Sequence, residues 1–198
     1  MYKLILASQS PRRKDLLAKA GFKFITLPAN ISETPDKNLN LEEQILKIAE
    51  DKALACIEQN NSLKSNNYLV LSADTMVIVD GEPYGKPSDK AQATSYLQLL
   101  SGRGHQVKTA LCLINCKTFE QARELTTTDV FFRSLSSEEI QCYVESGEPM
   151  DKAGAYGIQG LGGTFIDRYV GPFDNVVGLS MESFQRLLKM KGWQIESE

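Results

Sequence analysis

Residues 1–21, MYKLILASQSPRRKDLLAKAG, constrain the fold of this chain more than any other stretch. The apolar run Leu4 to Ala7 reads as a buried strand, and the polar turn Ser8-Gln9-Ser10 follows it at once. Pro11 then opens a helix that carries Leu16, Leu17 and Ala20 on one face and stops at Gly21. Proline suits the first helical position because its missing N–H would have no partner there, and Ser10 before it is a favoured N-cap. The first turn therefore points free backbone N–H groups and the positive end of the helix dipole back towards the strand end. Arg12 and Arg13 sit in that turn and add like charge to it. Two readings stay open: solvated arginines beside a simple cap, or a site for an anion such as phosphate.

Further along, the residues from Asn40 to Cys56 read as a helix, with Asn40 and Glu43 as a cap and Leu41, Ile45, Ile48, Ala49, Lys52, Ala53 and Cys56 at helical spacing. Lys52 is the one charge on that stripe, and a snorkelling lysine is its plain explanation. Tyr68 to Asp80, YLVLSADTMVIVD, is an apolar, β-rich run expected to form a central strand. Asp74 interrupts it, and a carboxylate there is costly unless it is paired, metal-bound or exposed at a bend. Asp80-Gly81 is a hairpin signal; a turn there returns Lys86 alongside Asp74 or Thr75, with Thr75 opposite it when the turn is centred on the pair. Ser88 is expected to cap the next helix. Strands follow over Val107 to Ile114 and Glu124 to Leu135, then a capping box at Ser136 and Glu139 for a helix through Ser146.

Asp151 to Gly163, DKAGAYGIQGLGG, holds five glycines in thirteen residues, so its backbone could approach a ligand closely. Gln159 lies in it and offers both donors and acceptors. Thr164 to Val170 reads as a strand and Ser180 to Met190 as a closing helix. Strands and helices alternate at both ends of the chain around a central hairpin, which predicts an α/β fold with a mixed sheet, formed as a single domain over 1–198. The site is expected in a crevice at the strand ends.

The net charge of -3 over 198 residues argues against a general nucleic-acid binder. No apolar run approaches the length of a membrane span, so a cytoplasmic protein is expected. Cys56, Cys112, Cys116 and Cys142 show no CxxC pair and read as structural thiols. The lone His105 has no G-x-S-x-G partner that would make a hydrolase triad.

Ser10, Arg12, Arg13, Glu33, Lys52, Asp74, Lys86 and Gln159 together have the parts for phosphoryl chemistry: cations for phosphates, carboxylates for a divalent metal or a proton, and an amide for a base edge. The runs S-Q-S-P-R-R-K-D-L-L (8–17), S-A-D-T (72–75), G-K-P (85–87), S-G-R-G-H-Q-V (101–107) and D-K-A-G-A-Y-G-I-Q-G (151–160) resemble the Maf family of nucleotide pyrophosphatases, in the family's order. The resemblance implies a twisted mixed sheet with flanking helices and a deep cleft, related to the inosine triphosphatase fold. It also implies hydrolysis of a nucleoside triphosphate between the α and β phosphates with a divalent metal, Mg²⁺ or Mn²⁺. The family's proton-accepting aspartate falls on Asp74, with Lys52 and Lys86 as its catalytic lysines. Ser10, Arg12 and Arg13, together with Lys52 and Lys86, fall on phosphate-handling positions, and Glu33 joins Asp74 as a metal residue. Arg12, Thr75 and Gln159 match the specificity positions of the branch similar to dTTP/UTP pyrophosphatases. The resemblance allows a homodimer. The family is also linked to inhibition of septum formation, which makes a nucleotide-binding regulator with little turnover the rival reading. A D-x-D phosphatase is disfavoured, because Ser72-Ala73-Asp74 lacks the first aspartate.

Overall fold

The computed structural model describes all residues except 30, 32–35, 37 and 197–198. Among the described residues seven strands form a mixed sheet: β1 (Lys3–Leu6), β2 (Phe24–Thr26), β3 (Tyr68–Val79), β4 (Glu82–Tyr84), β5 (Gly104–Asn115), β6 (Gln121–Phe132) and β7 (Ile166–Val170). Their order is β2-β1-β3-β5-β6-β7, with β4 paired to β3. β1 runs parallel to both β2 and β3, whereas β3–β4 and β6–β7 are antiparallel. The α-helices of the described residues are α1 (Pro11–Lys19), α2 (Leu41–Gln59), α3 (Lys90–Leu100), α4 (Ser137–Glu145), α5 (Phe173–Val177) and α6 (Met181–Lys191). The α/β class and mixed sheet expected from the sequence are present.

The chain divides into two compact units: residues 1–74, 109–126 and 178–198, and residues 75–108 and 127–177. The long strands β3, β5 and β6 run through both. Each unit has its own core. In the first, Leu4 and Leu6 of β1, Leu69 and Leu71 of β3 and Leu111 and Leu113 of β5 pack with Leu17 of α1 and Phe184, Leu187 and Leu188 of α6. In the second, Val77, Val107, Val130 and Phe132 of the sheet pack with Leu97 and Leu100 of α3, and Ile140 and Tyr143 of α4. Apolar burial on this scale is the main stabilising term in each unit.

The local chemistry explains where the elements begin. Asn40 caps α2 by accepting from Glu43 N at 2.9 Å, and Ser136 and Glu139 form the complete capping box of α4. The Asp80-Gly81 turn has φ of 52° and 85° at its two central residues, as a type I′ hairpin turn requires. It pairs Val77 with Tyr84, Ile78 with Pro83 and Val79 with Glu82. That is the register expected from the sequence, although the ladder ends at Tyr84, before Thr75 and Lys86. Other expectations shift. α3 is capped by Asp89, whose carboxylate accepts from Gln92 N at 2.8 Å, while Ser88 N donates back to Gln92 Oε1 at 2.7 Å; two adjacent residues had comparable cap propensity. β6 starts at Gln121, because its polar first residues alternate with the buried Ala122 and so resemble a loop in sequence. Residues 161–165 form a 3₁₀ turn, so β7 begins at Ile166. β2 is confined to Phe24–Thr26 within the stretch Phe22 to Pro28, which its sequence alone marks as a strand. All four cysteines are unpaired, and burial raises the thiols of Cys56 to about 11 and of Cys112 and Cys116 to about 12, consistent with inert packing residues.

His105 is a core residue of the second unit. It is 4% exposed, lies edge-on to Phe132 and Tyr156 and shares a 2.7 Å hydrogen bond between Nε2 and the Tyr156 hydroxyl. Burial lowers its pKa from 6.5 to about 4. The unfolded chain then binds a proton between these values that the folded chain does not. The associated stability is therefore fully present above pH 6.5 and is lost as pH falls towards 4. A shift of this size corresponds to roughly 3 kcal/mol. Thermal midpoints at pH 7 and pH 4.5 should therefore differ less in His105→Gln than in the parent. An equal difference in the two proteins would contradict this account.

Candidate active site

The first unit carries two of the groups singled out in the sequence. At the start of α1, Ser10 is the N-cap, but its hydroxyl lies 3.5 Å from Arg13 N, beyond the usual range for an N–H···O bond. Ser8 does more to shape this turn. Its buried hydroxyl accepts from Ser10 N at 3.2 Å and from Arg13 Nη1 at 3.1 Å. Arg13 Nε also donates to the carbonyl of Gly178 at 2.8 Å, tying α1 to the segment before α6. Arg13 thus spends two of its donors within the protein, a role that neither the solvated-arginine nor the anion-site reading of the sequence included. No acidic residue lies in the first turn of α1. Arg12 is half-buried in the same turn.

The second group is Asp74 with Lys52. Lys52 projects from α2, and its Nζ sits 2.7 Å from Asp74 Oδ1. The two side chains are only 13% and 6% exposed, so this is a buried ion pair and not a snorkelling lysine. Ser72, two residues before Asp74, donates to the backbone carbonyl of Ala49, one turn before Lys52. That bond fixes α2 against β3 in the register that makes the pair. Asp74 Oδ2 is buried and has no hydrogen-bond partner among the described residues. A buried charged acceptor left unpaired costs more than the ~1–3 kcal/mol of a neutral one, so this oxygen is the strongest local indication of a ligand.

The second unit carries Thr75, Lys86 and Gln159. Thr75 follows Asp74 on β3 and is half-buried. Lys86 is exposed just after β4. The carbonyl of its neighbour Gly85 accepts from Gly154 N at 3.0 Å, so the Lys86 segment is joined to the glycine-rich loop. Gly154 has φ +65°, and a Cβ there would lie 2.6 Å from Val77 Cγ2; only glycine fits this crossing. Gln159 is exposed on the loop. Glu33 lies outside the described residues. Glu148, which the sequence reading passed over, bonds into the loop that carries Gln159; only a carboxylate eleven residues upstream marked it. A pocket of about 410 Å³ in this unit, lined by Asp80, Gln106, Asp129 and Phe131 among others, contains none of the expected site residues. Its polar groups are spent on one another, through Arg103–Asp80 and Gln106–Asp129.

The family model described as Maf-like protein matches residues 3–191. The chain belongs to the Maf family. This Maf protein is 52% identical over 185 residues to the dTTP/UTP pyrophosphatase of Bdellovibrio bacteriovorus, covering 93% of this chain and 96% of that one. It is 44% identical over 188 residues to the dTTP/UTP pyrophosphatase of Bacillus velezensis, covering 94% and 95%. It is 40% identical over 197 residues to that of Caldicellulosiruptor bescii, covering 98% of each. Among solved structures it is similar to the Staphylococcus aureus Ham1 protein, with a TM-score of 0.47 and 18% identity over 93% of this chain and 90% of the other. No helix among the described residues is long and apolar enough to cross a membrane.

The buried pair gives a direct test. Lys52→Ala strands the Asp74 carboxylate in a buried position, which should cost about 3 kcal/mol or more. Adding Asp74→Asn removes the stranded charge, so the double variant should recover much of that loss. Urea unfolding of the two variants measures it; a double variant no more stable than Lys52→Ala would show that the pair is not buried as described.

Proposed function

We propose that this Maf protein is a nucleoside triphosphate pyrophosphatase that cleaves the α–β phosphoanhydride of dTTP, UTP or related pyrimidine nucleotides, releasing the monophosphate and pyrophosphate. The observation that carries the reading is Asp74: one carboxylate oxygen is held by Lys52 and the other is buried without a hydrogen-bond partner among the described residues. The names borne by the relatives supply the substrate class and favour turnover over the regulator reading.

In this mechanism Lys52 fixes the Asp74 carboxylate and offsets its charge. Asp74 Oδ2 takes a proton from the water whose oxygen attacks the α-phosphorus. The bond from that phosphorus to the bridging oxygen breaks, and pyrophosphate departs. Arg12, Arg13, Lys86 and the N-terminus of α1 with Ser10 bind the phosphates and the charge that develops on the leaving group. Thr75 and Gln159 contact the base.

A divalent cation fits these residues. Among the described residues no three His, Cys, Asp or Glu side chains gather into a metal cage. A single buried carboxylate oxygen does suit Mg²⁺ or Mn²⁺, which usually takes one or two carboxylates together with substrate phosphates and water. Asp74 Oδ2 would hold it in place of taking the water proton, the alternative role of the same oxygen, with Glu33 as the second carboxylate in the proposal. Such a cation supplies Lewis-acid polarisation of the phosphate oxygens.

The test is a screen of pyrophosphate release across dTTP, UTP, CTP and purine triphosphates with Mg²⁺ and with Mn²⁺. Pyrimidine nucleotides should rank first, with pyrophosphate and not orthophosphate as product; orthophosphate release would overturn the reading. Asp74→Asn should lower turnover roughly 10²-fold or more while the protein stays folded, and near-parental turnover would return Asp74 to a structural role. Gln159→Glu, which replaces a donor by an acceptor, should reorder the nucleotides more than it lowers the overall rate. An equal loss on every nucleotide would remove Gln159 from base recognition.

A further inference from the structure

The glycine-rich segment folds around a carboxylate of its own. Glu148 opens a 3₁₀ turn, Glu148–Asp151, and its side chain reaches the residues 161–162. Oε2 accepts from Leu161 N at 3.0 Å, and Oε1 accepts from Gly162 N at 3.3 Å and from the Tyr143 hydroxyl at 3.0 Å. That hydroxyl accepts in turn from Gly157 N at 3.3 Å. Lys152 Nζ donates to the Glu148 carbonyl at 2.5 Å and to Asp151 Oδ1 at 2.8 Å, closing the turn from which the carboxylate projects. The packing leaves no room for side chains. A Cβ on Gly160 would run into the Glu148 carboxylate, and one on Gly162 would lie 2.6 Å from the Tyr143 hydroxyl.

Gln159 stands between these held points. Gly157 is fixed on one side through Tyr143, and Leu161 and Gly162 are fixed on the other side by Glu148 itself. A glycine-rich loop loses much backbone entropy on ordering, and hydrogen bonds from backbone amides to an ionised acceptor are among the stronger ones available to offset it. We propose that Glu148 is the positioning residue of this loop, the internal anion that sets where Gln159 is presented to the nucleotide. This rests on the reading of Gln159 as a base contact. The glycines accordingly serve close packing around Glu148, and the loop amides at 161 and 162 are spent on it in place of a phosphate.

Glu148→Ala and Glu148→Gln test the proposal by amide exchange, by the Kd of a dTTP analogue with a non-hydrolysable α–β linkage, and by kinetics across nucleotides. Glu148→Ala should lose protection at Leu161 and Gly162, weaken analogue binding on the order of tenfold and flatten the nucleotide ranking, with a smaller change in kcat than in KM. Glu148→Gln keeps one acceptor oxygen and should fall between this variant and the parent. If Glu148→Ala does not fold, the comparison of Glu148→Gln with the parent decides alone. Unchanged protection overturns the proposal. So does lost protection with unchanged binding and ranking, and so does a parent that fails to bind the analogue. A parent that binds the analogue but releases no pyrophosphate from any nucleotide overturns the pyrophosphatase reading and leaves the Glu148 assignment to the exchange and binding data.

Discussion

A carboxylate within a buried strand can be kept only if something nearby neutralises it, and in this chain Lys52 does so from α2. The pair sets demands on its surroundings. α2 must lie on β3 at one register, and the Ser72 bond to the Ala49 carbonyl holds it there. The apolar stripe of α2, Ile45, Ile48, Ala49, Ala53, Cys56 and Ile57, buries the helix on the same side from which Lys52 reaches Asp74. Replacing both charges with apolar residues would be expected to cost little stability and could even add some. A pair retained in such a place, with one oxygen still unsatisfied, is better understood through what it does to a ligand than through what it adds to the fold.

The start of α1 shows a different balance. Ser8 and Ser10 hold a tight turn, and Arg13 is committed to Ser8 and to the Gly178 carbonyl. Those contacts restrict an arginine that would otherwise lose several rotatable bonds of freedom on meeting a phosphate. The guanidinium is thereby preorganised near a helix N-terminus. The structural and functional readings of Arg13 are complementary, because the same bonds that pin the helix also fix where the charge stands.

The features legible in the sequence were those set by neighbouring residues. The β1–α1 turn, the Asn40 cap, the Ser136–Glu139 capping box and the register of the Asp80-Gly81 hairpin all depend on interactions within a few positions. Asp74 was legible for another reason: a charge in an apolar run demands a partner, even though Lys52 could not be told from a surface lysine by spacing alone. The start of α3 was displaced because Ser88 and Asp89 are both competent caps and only the bond to Gln92 separates them. Ser8 was hidden because its partners, Ser10 and Arg13, are themselves residues with roles of their own. Glu148 was hidden because its partners are backbone amides thirteen and fourteen residues away, which leave no side-chain signature. The five glycines were visible, but as open backbone, since the sequence does not show the carboxylate that fills the space their missing side chains provide.

Backbone donors converge both at the loop and at the first turn of α1, and the charge beside them differs. In the loop at 157–163 the negative charge is internal, supplied by Glu148 at fixed hydrogen-bonding distance. At the first turn of α1 there is no acidic residue, and Arg12 and Arg13 add positive charge to the positive end of the dipole. A phosphate arriving at the loop would have to displace or sit beside a carboxylate, at a repulsive cost. At α1 it would relieve a conflict between like charges. A phosphate would therefore meet less repulsion at the first turn of α1 than at the loop around Glu148.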